Sequence, residues 1–396
     1  MEGKQEVEVG DKYGDGLAWF RRSMIGKGGF GCVYLAILKN PISKHSYFPS
    51  VMAVKSAEVS VSGSIQKERE VFSNVKGCPN IIRCFGEEIT MGDNGLMVYN
   101  LLLEYGSGGT LADSIKKFGG NSLPDFEVKV YARGILRGLN HIHGIGYVHC
   151  DLKPDNILLV SNARSGRISE FRAKIGDFGL AKRRTKQSKK RKLESYWRGT
   201  PMYLSPEAVV DHVQEAPCDI WALGCIVLEM LTGKPPWEGE EKLNADDILR
   251  KIGEGNELPK IPNGISKEAK DFLKGCFVRK TMYRWTAEML LNHPFVEDLD
   301  DDDEDVEELE DDESLNEIEP ILLVTENDDE FDCDLFPDDW GFPSEEDSVV
   351  YLTGEDADNV EDETVSTFCE GASKVEELKG VVSSTFDAGF NRFVAC

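Results

Sequence analysis

The hydrophobic pattern of the first hundred residues predicts several short strands and one helix. Apolar and β-branched residues cluster around 25–35, at 51–54 and at 96–103, in short runs that favour strands. Residues 65–76 instead show helical spacing, because Glu68 is followed at i+3, i+4 and i+7 by Val71, Phe72 and Val75. We therefore expect an amphipathic helix packed against strands.

Beyond residue 109 the pattern becomes helical. Residues 126–143 place Ile135, Leu139 and Ile142 on one face, which predicts a long amphipathic helix. The glycine-rich residues 104–109 end the last strand and predict a turn between the two parts. The strands therefore precede this turn and the long helix follows it.

Charge divides the chain near residue 297. Of the 396 residues, the last hundred contain 37 acidic and 3 basic ones, whereas the first 296 contain 35 acidic and 42 basic ones. Blocks of like charge repel and bury little apolar surface, so we expect residues 298–396 to be largely disordered. Apolar islands at 321–324, 340–342 and 375–382 are either partner-docking segments or merely residual apolar stretches.

Cysteine spacing and the N-terminal sequence bear on the compartment. None of the ten cysteines forms a Cys-x-x-Cys pair, which suits a reduced intracellular compartment. The N-terminus lacks a signal sequence, and no apolar run approaches the ~18 residues of a membrane span. We expect a soluble, cytoplasmic protein that has no membrane partner.

A basic run at 182–192 contains eight Lys or Arg residues in eleven. It fits a solvated loop, a nuclear-import patch, which would add a nuclear location, or a docking surface for acidic segments. We expect no nucleic-acid partner, because the run has no aromatic residues and the whole chain carries a net charge of −27. A further hypothesis is that the acidic tail folds back onto this run and restrains the protein.

Two stretches carry groups suited to phosphate chemistry. Residues 25–34 read Ile-Gly-Lys-Gly-Gly-Phe-Gly-Cys-Val-Tyr, where glycines at 26, 28 and 31 would let backbone amides approach phosphate oxygens. On its own this pattern fits a flexible hairpin equally well. Residues 149–156 read His-Cys-Asp-Leu-Lys-Pro-Asp-Asn, which places a carboxylate, an ammonium and an amide in one short loop. These groups suit the transfer of a phosphoryl group to a hydroxyl.

Further motifs follow in a fixed order. Lys55 ends an apolar strand, residues 174–179 read Lys-Ile-Gly-Asp-Phe-Gly, and residues 199–207 read Gly-Thr-Pro-Met-Tyr-Leu-Ser-Pro-Glu. Together with the loop at 149–156, they resemble the motifs of serine/threonine protein kinases over about residues 19–297. The resemblance implies a bilobal fold of the α+β class, with an antiparallel sheet and one helix up to about residue 105 and a mainly helical lobe over 106–297. An N-terminal extension, 1–18, and the acidic tail, 298–396, would flank this domain.

The resemblance also implies catalytic and metal-binding roles. Asp151 would accept the proton of the attacking hydroxyl, Lys153 would neutralise phosphoryl charge, and Thr200 would bridge the two. Asn156 and Asp177 would bind Mg²⁺. Lys55 would contact the phosphates of ATP and be held by Glu68 rather than Glu70, because Glu68 lies beside the buried stripe of its helix.

The resemblance also implies that ATP lies between the glycine-rich hairpin, the hinge (residues 104–106) and apolar residues on both sides of adenine. The residues expected to contact ATP in these three places are Ile25, Gly26, Lys27, Gly28, Gly29, Phe30, Gly31, Val33, Ala53, Glu104, Tyr105, Gly106 and Leu158. Two structural supports are implied as well, a buried pair between Glu207 and Arg284 and a brace from Asp219 to the loop at 149–156.

The loop and segment sequences, followed by an acidic tail, resemble those of the plant MEKK-type MAP kinase kinase kinases. That resemblance implies MAP kinase kinases as substrates and stress or hormone signalling as the setting. The alternatives are a serine/threonine kinase of another group and a kinase-fold scaffold that acts through its tail and its partners.

Cys150 departs from the arginine that is common at this place in kinases. A neutral thiol cannot pair with a phosphate group. We therefore hypothesise that the unphosphorylated domain already has substantial activity.

Overall fold

A five-stranded antiparallel sheet forms the N-terminal lobe. The computed structural model describes residues 13–29, 31–40, 48–162, 170–184, 197–237, 243–254 and 257–297. Phe30, residues 185–192 of the basic run and the acidic tail lie outside these described residues. The strands are β1 (Trp19–Gly28), β2 (Gly31–Leu38), β3 (Val51–Glu58), β4 (Cys84–Met91) and β5 (Met97–Leu103), and their order is β1-β2-β3-β5-β4.

Helix α1 (Gly63–Val75) covers one face of this sheet. It buries Ile65, Val71, Phe72 and Val75, the stripe expected from the sequence, together with Glu68. These apolar side chains join Ala53 and Ala57 of β3 in the main core cluster. The predicted helix over 65–76 is thus confirmed within two residues at its start and one at its end.

Residues before and within β1 close the other face of the sheet. Trp19 is fully buried with Met52 and Val54, and its indole Nε1 donates to Glu88 Oε2 at 2.7 Å. The Arg21 guanidinium donates to the carbonyl of Gly14 at 2.8 Å. The described part of the predicted N-terminal extension therefore packs against the sheet.

The C-terminal lobe is mainly helical and also contains four short strands in its described residues. Its helices are α2 (Leu111–Lys117), α3 (Asp125–Gly144), α4 (Pro206–Val210), α5 (Ala216–Thr232), α6 (Ala245–Gly253), α7 (Lys267–Cys276), α8 (Ala287–Leu291) and α9 (Pro294–Glu297). The strands β6 (Tyr147–Val148) and β9 (Lys182–Arg183) pair with each other, as do β7 (Ile157–Ser161) and β8 (Phe171–Ile175). The predicted helix over 126–143 corresponds to α3. None of the helices in the described ranges is both long and apolar enough to cross a membrane.

Helix α5 is the centre of this lobe. Thirteen of its 17 residues are buried, so apolar side chains surround it on all sides rather than forming one stripe. It ends at Gly233, whose φ of 68° provides the left-handed C-terminal residue that glycine favours. A helix buried in this way is a rigid support for the residues at its N-terminal end.

A buried ion pair fixes the loops beside α5, as the resemblance implied. Arg284 donates to both carboxylate oxygens of Glu207, at 2.6 and 2.9 Å, and also to the carbonyl of Pro217 at 2.7 Å. The Arg284 side chain is fully buried, and that of Glu207 is 8% exposed. The pair joins the end of the 199–207 segment to the loop before α8.

Replacing Arg284 by Met should destabilise the fold strongly, since it leaves the Glu207 carboxylate buried without its cation. We expect a loss of about 3–5 kcal/mol in the free energy of unfolding, measured by urea denaturation. The matched control is Arg250→Met, which breaks an exposed pair with Asp247 at 3.5 Å and should cost less than about 1 kcal/mol. Equal losses in the two variants would contradict this account of the buried pair.

Candidate active site

A buried lysine joins three parts of the chain. Lys55, on β3, is 5% exposed, and its Nζ lies 2.7 Å from Glu68 Oε2 and 3.0 Å from Asp177 Oδ1. The expected choice of Glu68 as its partner is confirmed, while Glu70 is exposed on the other side of α1. The ammonium therefore connects the sheet, α1 and the Asp-Phe-Gly motif.

The two carboxylates compete for one cation, and this separates their pKa values. Burial raises the pKa of Glu68 to about 7, against the opposing charge of Lys55. Burial alone would also raise the pKa of Asp177, but the charge and hydrogen bond of Lys55 outweigh it and the pKa is lowered. Asp177 is thus the more fully ionised of the two carboxylates at neutral pH.

Phe178 anchors the Asp-Phe-Gly motif under α1. Its ring is fully buried, with its centroid 5.1 Å from that of Phe72 and 5.1 Å from that of His149. Its backbone N–H donates to Glu68 Oε1 at 3.1 Å. Asp177 itself has a φ of 54°, which non-glycine residues adopt rarely and mostly at functional sites.

Asp219, at the start of α5, braces the catalytic loop (residues 149–156) as predicted. Its carboxylate accepts hydrogen bonds from the backbone N–H of His149 at 2.9 Å and of Cys150 at 3.0 Å. His143 Nε2 lies 2.8 Å from the same carboxylate. These contacts hold Cys150, whose φ is 68°, and so fix the position of the next residue, Asp151.

Asp151, Lys153 and Thr200 form a closed triangle, and the bridging contact expected for Thr200 is confirmed. The Thr200 hydroxyl donates to Asp151 Oδ1 at 2.8 Å. Lys153 Nζ donates to Asp151 Oδ2 at 3.0 Å and to the Thr200 hydroxyl at 3.1 Å. A carboxylate, an ammonium and a hydroxyl are thus held in fixed positions relative to one another.

Asn156 supplies an oxygen that could bind a metal ion. Its Nδ2 donates to the carbonyl of Asp151 at 2.8 Å, which fixes the orientation of the amide. Its Oδ1 is buried without a hydrogen-bond partner in the structure, which is costly unless something binds there. The backbone carbonyl of Asn156 accepts the N–H of Gly176, the residue before Asp177, at 2.9 Å. A neutral amide oxygen in this setting suits a hard divalent cation that takes its other ligands from phosphate and water.

The predicted phosphate-binding glycines lie in the hairpin of the N-terminal lobe. Gly28 pairs with Gly31 and Gly26 with Val33, so the glycine-rich stretch is a hairpin between β1 and β2, as expected. A Cβ on Gly31 would lie 2.5 Å from the carbonyl of Ser56, so only glycine allows this close approach. Lys27 and Gly29 are exposed.

Apolar residues expected around adenine come from both lobes. Val33, Ala53, Leu103 and Leu158 are buried in the main core cluster, and Ile25 and Tyr105 pack against it. Ala53 lies directly opposite Leu103 in the β3–β5 pair. A Cβ on Gly106 would lie 3.1 Å from the Leu158 Cβ, so the hinge (residues 104–106) closely approaches β7.

The sequence motifs did not reveal how the hinge is held. Lys174 of β8 donates to Glu104 Oε1 at 2.7 Å and to Oε2 at 3.0 Å. The Glu104 carboxylate also accepts the backbone N–H of Arg83 at 2.9 Å. The one available signal was Lys174 itself, a lysine between the apolar Ala173 and Ile175 just before the Asp-Phe-Gly motif.

The Lys55–Glu68 contact makes a prediction that distinguishes two neighbouring glutamates. Glu68→Gln removes the charge that orients Lys55, so kcat/KM for ATP should fall by about 100-fold. Glu70→Gln is the matched control on the exposed face of the same helix and should stay within about twofold. Steady-state kinetics with varied ATP measures both, and equal effects in the two variants would contradict the assignment.

Comparison with known proteins agrees with this geometry. The family model of the protein kinase domain matches residues 19–296. Mitogen-activated protein kinase kinase kinase 20 of Arabidopsis thaliana is 44% identical over 287 residues, which are 72% of this chain and 80% of that protein. Mitogen-activated protein kinase kinase kinase 17 of the same species is 38% identical over 281 residues, which are 71% of this chain and 70% of that protein. The matched residues include all of the site described above, and the chain therefore belongs to the protein kinase family as a serine/threonine kinase.

Proposed function

We propose that this chain is a MAP kinase kinase kinase, which transfers the γ-phosphoryl group of ATP to serine or threonine hydroxyls of MAP kinase kinases. The observation that carries the proposal is the triangle of Asp151, Lys153 and Thr200, together with the buried Lys55 that binds Asp177. The substrate class follows from the names of the relatives, one of which this chain covers over 80% of its length.

The catalytic loop orients the acceptor hydroxyl and neutralises charge. Asp151 can accept the proton of the hydroxyl or direct its lone pair toward phosphorus. Lys153 is fixed beside that carboxylate and can stabilise the negative charge that spreads over the transferred group. The Thr200 hydroxyl keeps the two side chains in this arrangement.

The residues present fit a bound Mg²⁺. Asn156 Oδ1 and the Asp177 carboxylate would hold it, and the ion would neutralise charge on the nucleotide phosphates. Protein kinases in general use ATP with a divalent metal ion, and the choice of magnesium is part of the proposal.

ATP would be held between the glycine-rich hairpin and the hinge. Lys55 would contact its phosphates, and the backbone amides of residues 26–31 would surround them. Adenine would lie between Ala53 and Leu158. The backbone N–H of Glu104 is already bonded to the carbonyl of Arg83 at 2.9 Å, so Glu104 would offer adenine its carbonyl rather than its amide.

The remaining assignments concern partners and location. We propose a cytoplasmic protein, with a nuclear share if the basic run acts as an import signal. The acidic tail would bind regulatory or docking partners, while its overall charge disfavours nucleic acid. The filled catalytic positions favour an enzyme over a scaffold that only binds its pathway partners.

The test is transfer of radiolabelled phosphate from ATP to a panel of catalytically dead MAP kinase kinases. Asp151→Asn removes the group that accepts the hydroxyl proton, and it should lower transfer by about 10²- to 10⁴-fold. Asp125→Asn, at an exposed carboxylate in the first turn of α3, is the control and should match the wild type.

Transfer to a panel member that is lost in the Asp151 variant would support the proposal. Phosphorylation of other acceptors, without transfer to the panel, would retain the kinase but refute the cascade position. Folded wild-type protein without any transfer would favour the scaffold instead.

A further inference from the structure

Gln214 makes an unusual pair of contacts with the activation segment (residues 177–207). It lies in the loop between α4 and α5 and is 2% exposed. Its Oε1 accepts the backbone N–H of Arg198 at 2.9 Å, and its Nε2 donates to the carbonyl of the same residue at 2.8 Å. Both polar atoms of the side chain are therefore committed to one residue of the segment.

This pattern imitates one rung of a β-ladder. In an antiparallel ladder, two facing residues exchange both backbone hydrogen bonds, and here a side-chain amide takes the place of one strand. Only an amide supplies a donor and an acceptor in this arrangement, and asparagine is one methylene shorter than glutamine. Since the contact is to backbone atoms, it does not depend on the Arg198 side chain or on any added group.

The contact lies next to the catalytic triangle. Arg198 precedes Gly199, whose φ is 108° and on which a Cβ would lie 2.5 Å from the carbonyl of Cys150. The following residue is Thr200, which bonds Asp151 and Lys153. Fixing the backbone of Arg198 therefore fixes the position from which the Thr200 hydroxyl reaches the catalytic loop.

Gln214 is itself held by the rigid part of the lobe. The neighbouring Val213 donates its backbone N–H to the carbonyl of Glu207 at 3.1 Å, and Glu207 forms the buried pair with Arg284. On the other side, α5 begins at Ala216. The Gln214 amide therefore connects the activation segment at Arg198 to this rigid part of the lobe.

Cys150 lacks the positive charge with which an arginine at this position could hold a phosphorylated segment. Its side chain is buried with Val148 and Cys218, and its thiol points toward the carbonyl of Val148 at 3.7 Å. It therefore offers no cation to a phosphate on the segment.

We propose that Gln214 is a positioning residue, which holds the segment around Thr200 in the substrate-competent position without requiring a phosphate group. This inference rests on the proposed kinase function and adds to it the means by which the segment is held.

The experiment uses the full chain and measures initial rates of phosphate transfer from ATP to myelin basic protein. Gln214→Met keeps the length of the side chain and removes both hydrogen bonds. We expect kcat to fall by about tenfold or more, with KM for ATP within about twofold of the wild type. Gln214→Glu keeps the shape but loses the donor, so it should also lose activity, and it serves as the second variant if the Met variant fails to fold.

Gln66→Met is the matched control. Gln66 is an exposed glutamine on α1, and its Nε2 donates to Ser62 Oγ at 2.7 Å at the start of that helix. Its substitution removes one glutamine hydrogen bond that is not made to residues 197–207, and it should leave kcat unchanged. Loss of activity in this variant as large as in Gln214→Met would overturn the proposal.

A double-mutant cycle with Thr200→Val separates positioning from general stability. If Gln214 acts through Thr200, its substitution should lower kcat by only about twofold in the Thr200→Val background. Additive losses would overturn the proposal, as would wild-type activity in both Gln214 variants. If the wild type transfers phosphate to no acceptor, the proposed function fails first, and this inference fails with it.

Discussion

The buried ammonium of Lys55 is the constraint on which the rest of the site depends. A charge with 5% exposure is tolerable only when it is paired, and its partners come from α1 and from the Asp-Phe-Gly motif. Phe178 donates its backbone N–H to the same Glu68 that binds Lys55, so α1 and this motif cannot move independently. The shared cation leaves Asp177 ionised, which is the state that a metal-binding carboxylate requires.

The C-terminal lobe supplies a second set of constraints, and these act mainly on backbone atoms. Asp219 binds the amides of the catalytic loop, and Gln214 binds both backbone groups of Arg198. The buried pair of Glu207 and Arg284 joins the end of the activation segment to the loop before α8. Each of these contacts is made by the chain itself, which explains how Asp151, Lys153 and Thr200 are assembled beside a cysteine that cannot bind phosphate.

The sequence predicted the parts of the site whose position follows from local order. Helical spacing distinguished Glu68 from Glu70, and motif resemblance placed Thr200, Asp219 and Arg284 against their partners. It did not predict the Lys174–Glu104 contact, which spans 70 residues, or the contact of Gln214 with Arg198. Contacts between residues that are separated in the sequence leave no periodic signal, so they emerge only once the fold brings the partners together.

The most direct test of this account is the initial rate of phosphate transfer by the full chain after phosphatase treatment, with mass spectrometry confirming that no phosphate remains. An active site assembled by the chain's own contacts predicts a rate within about threefold of the untreated protein and no lag. A drop of about 100-fold, or a lag that preincubation with ATP removes, would contradict it, because the segment would then need a phosphate to reach its position.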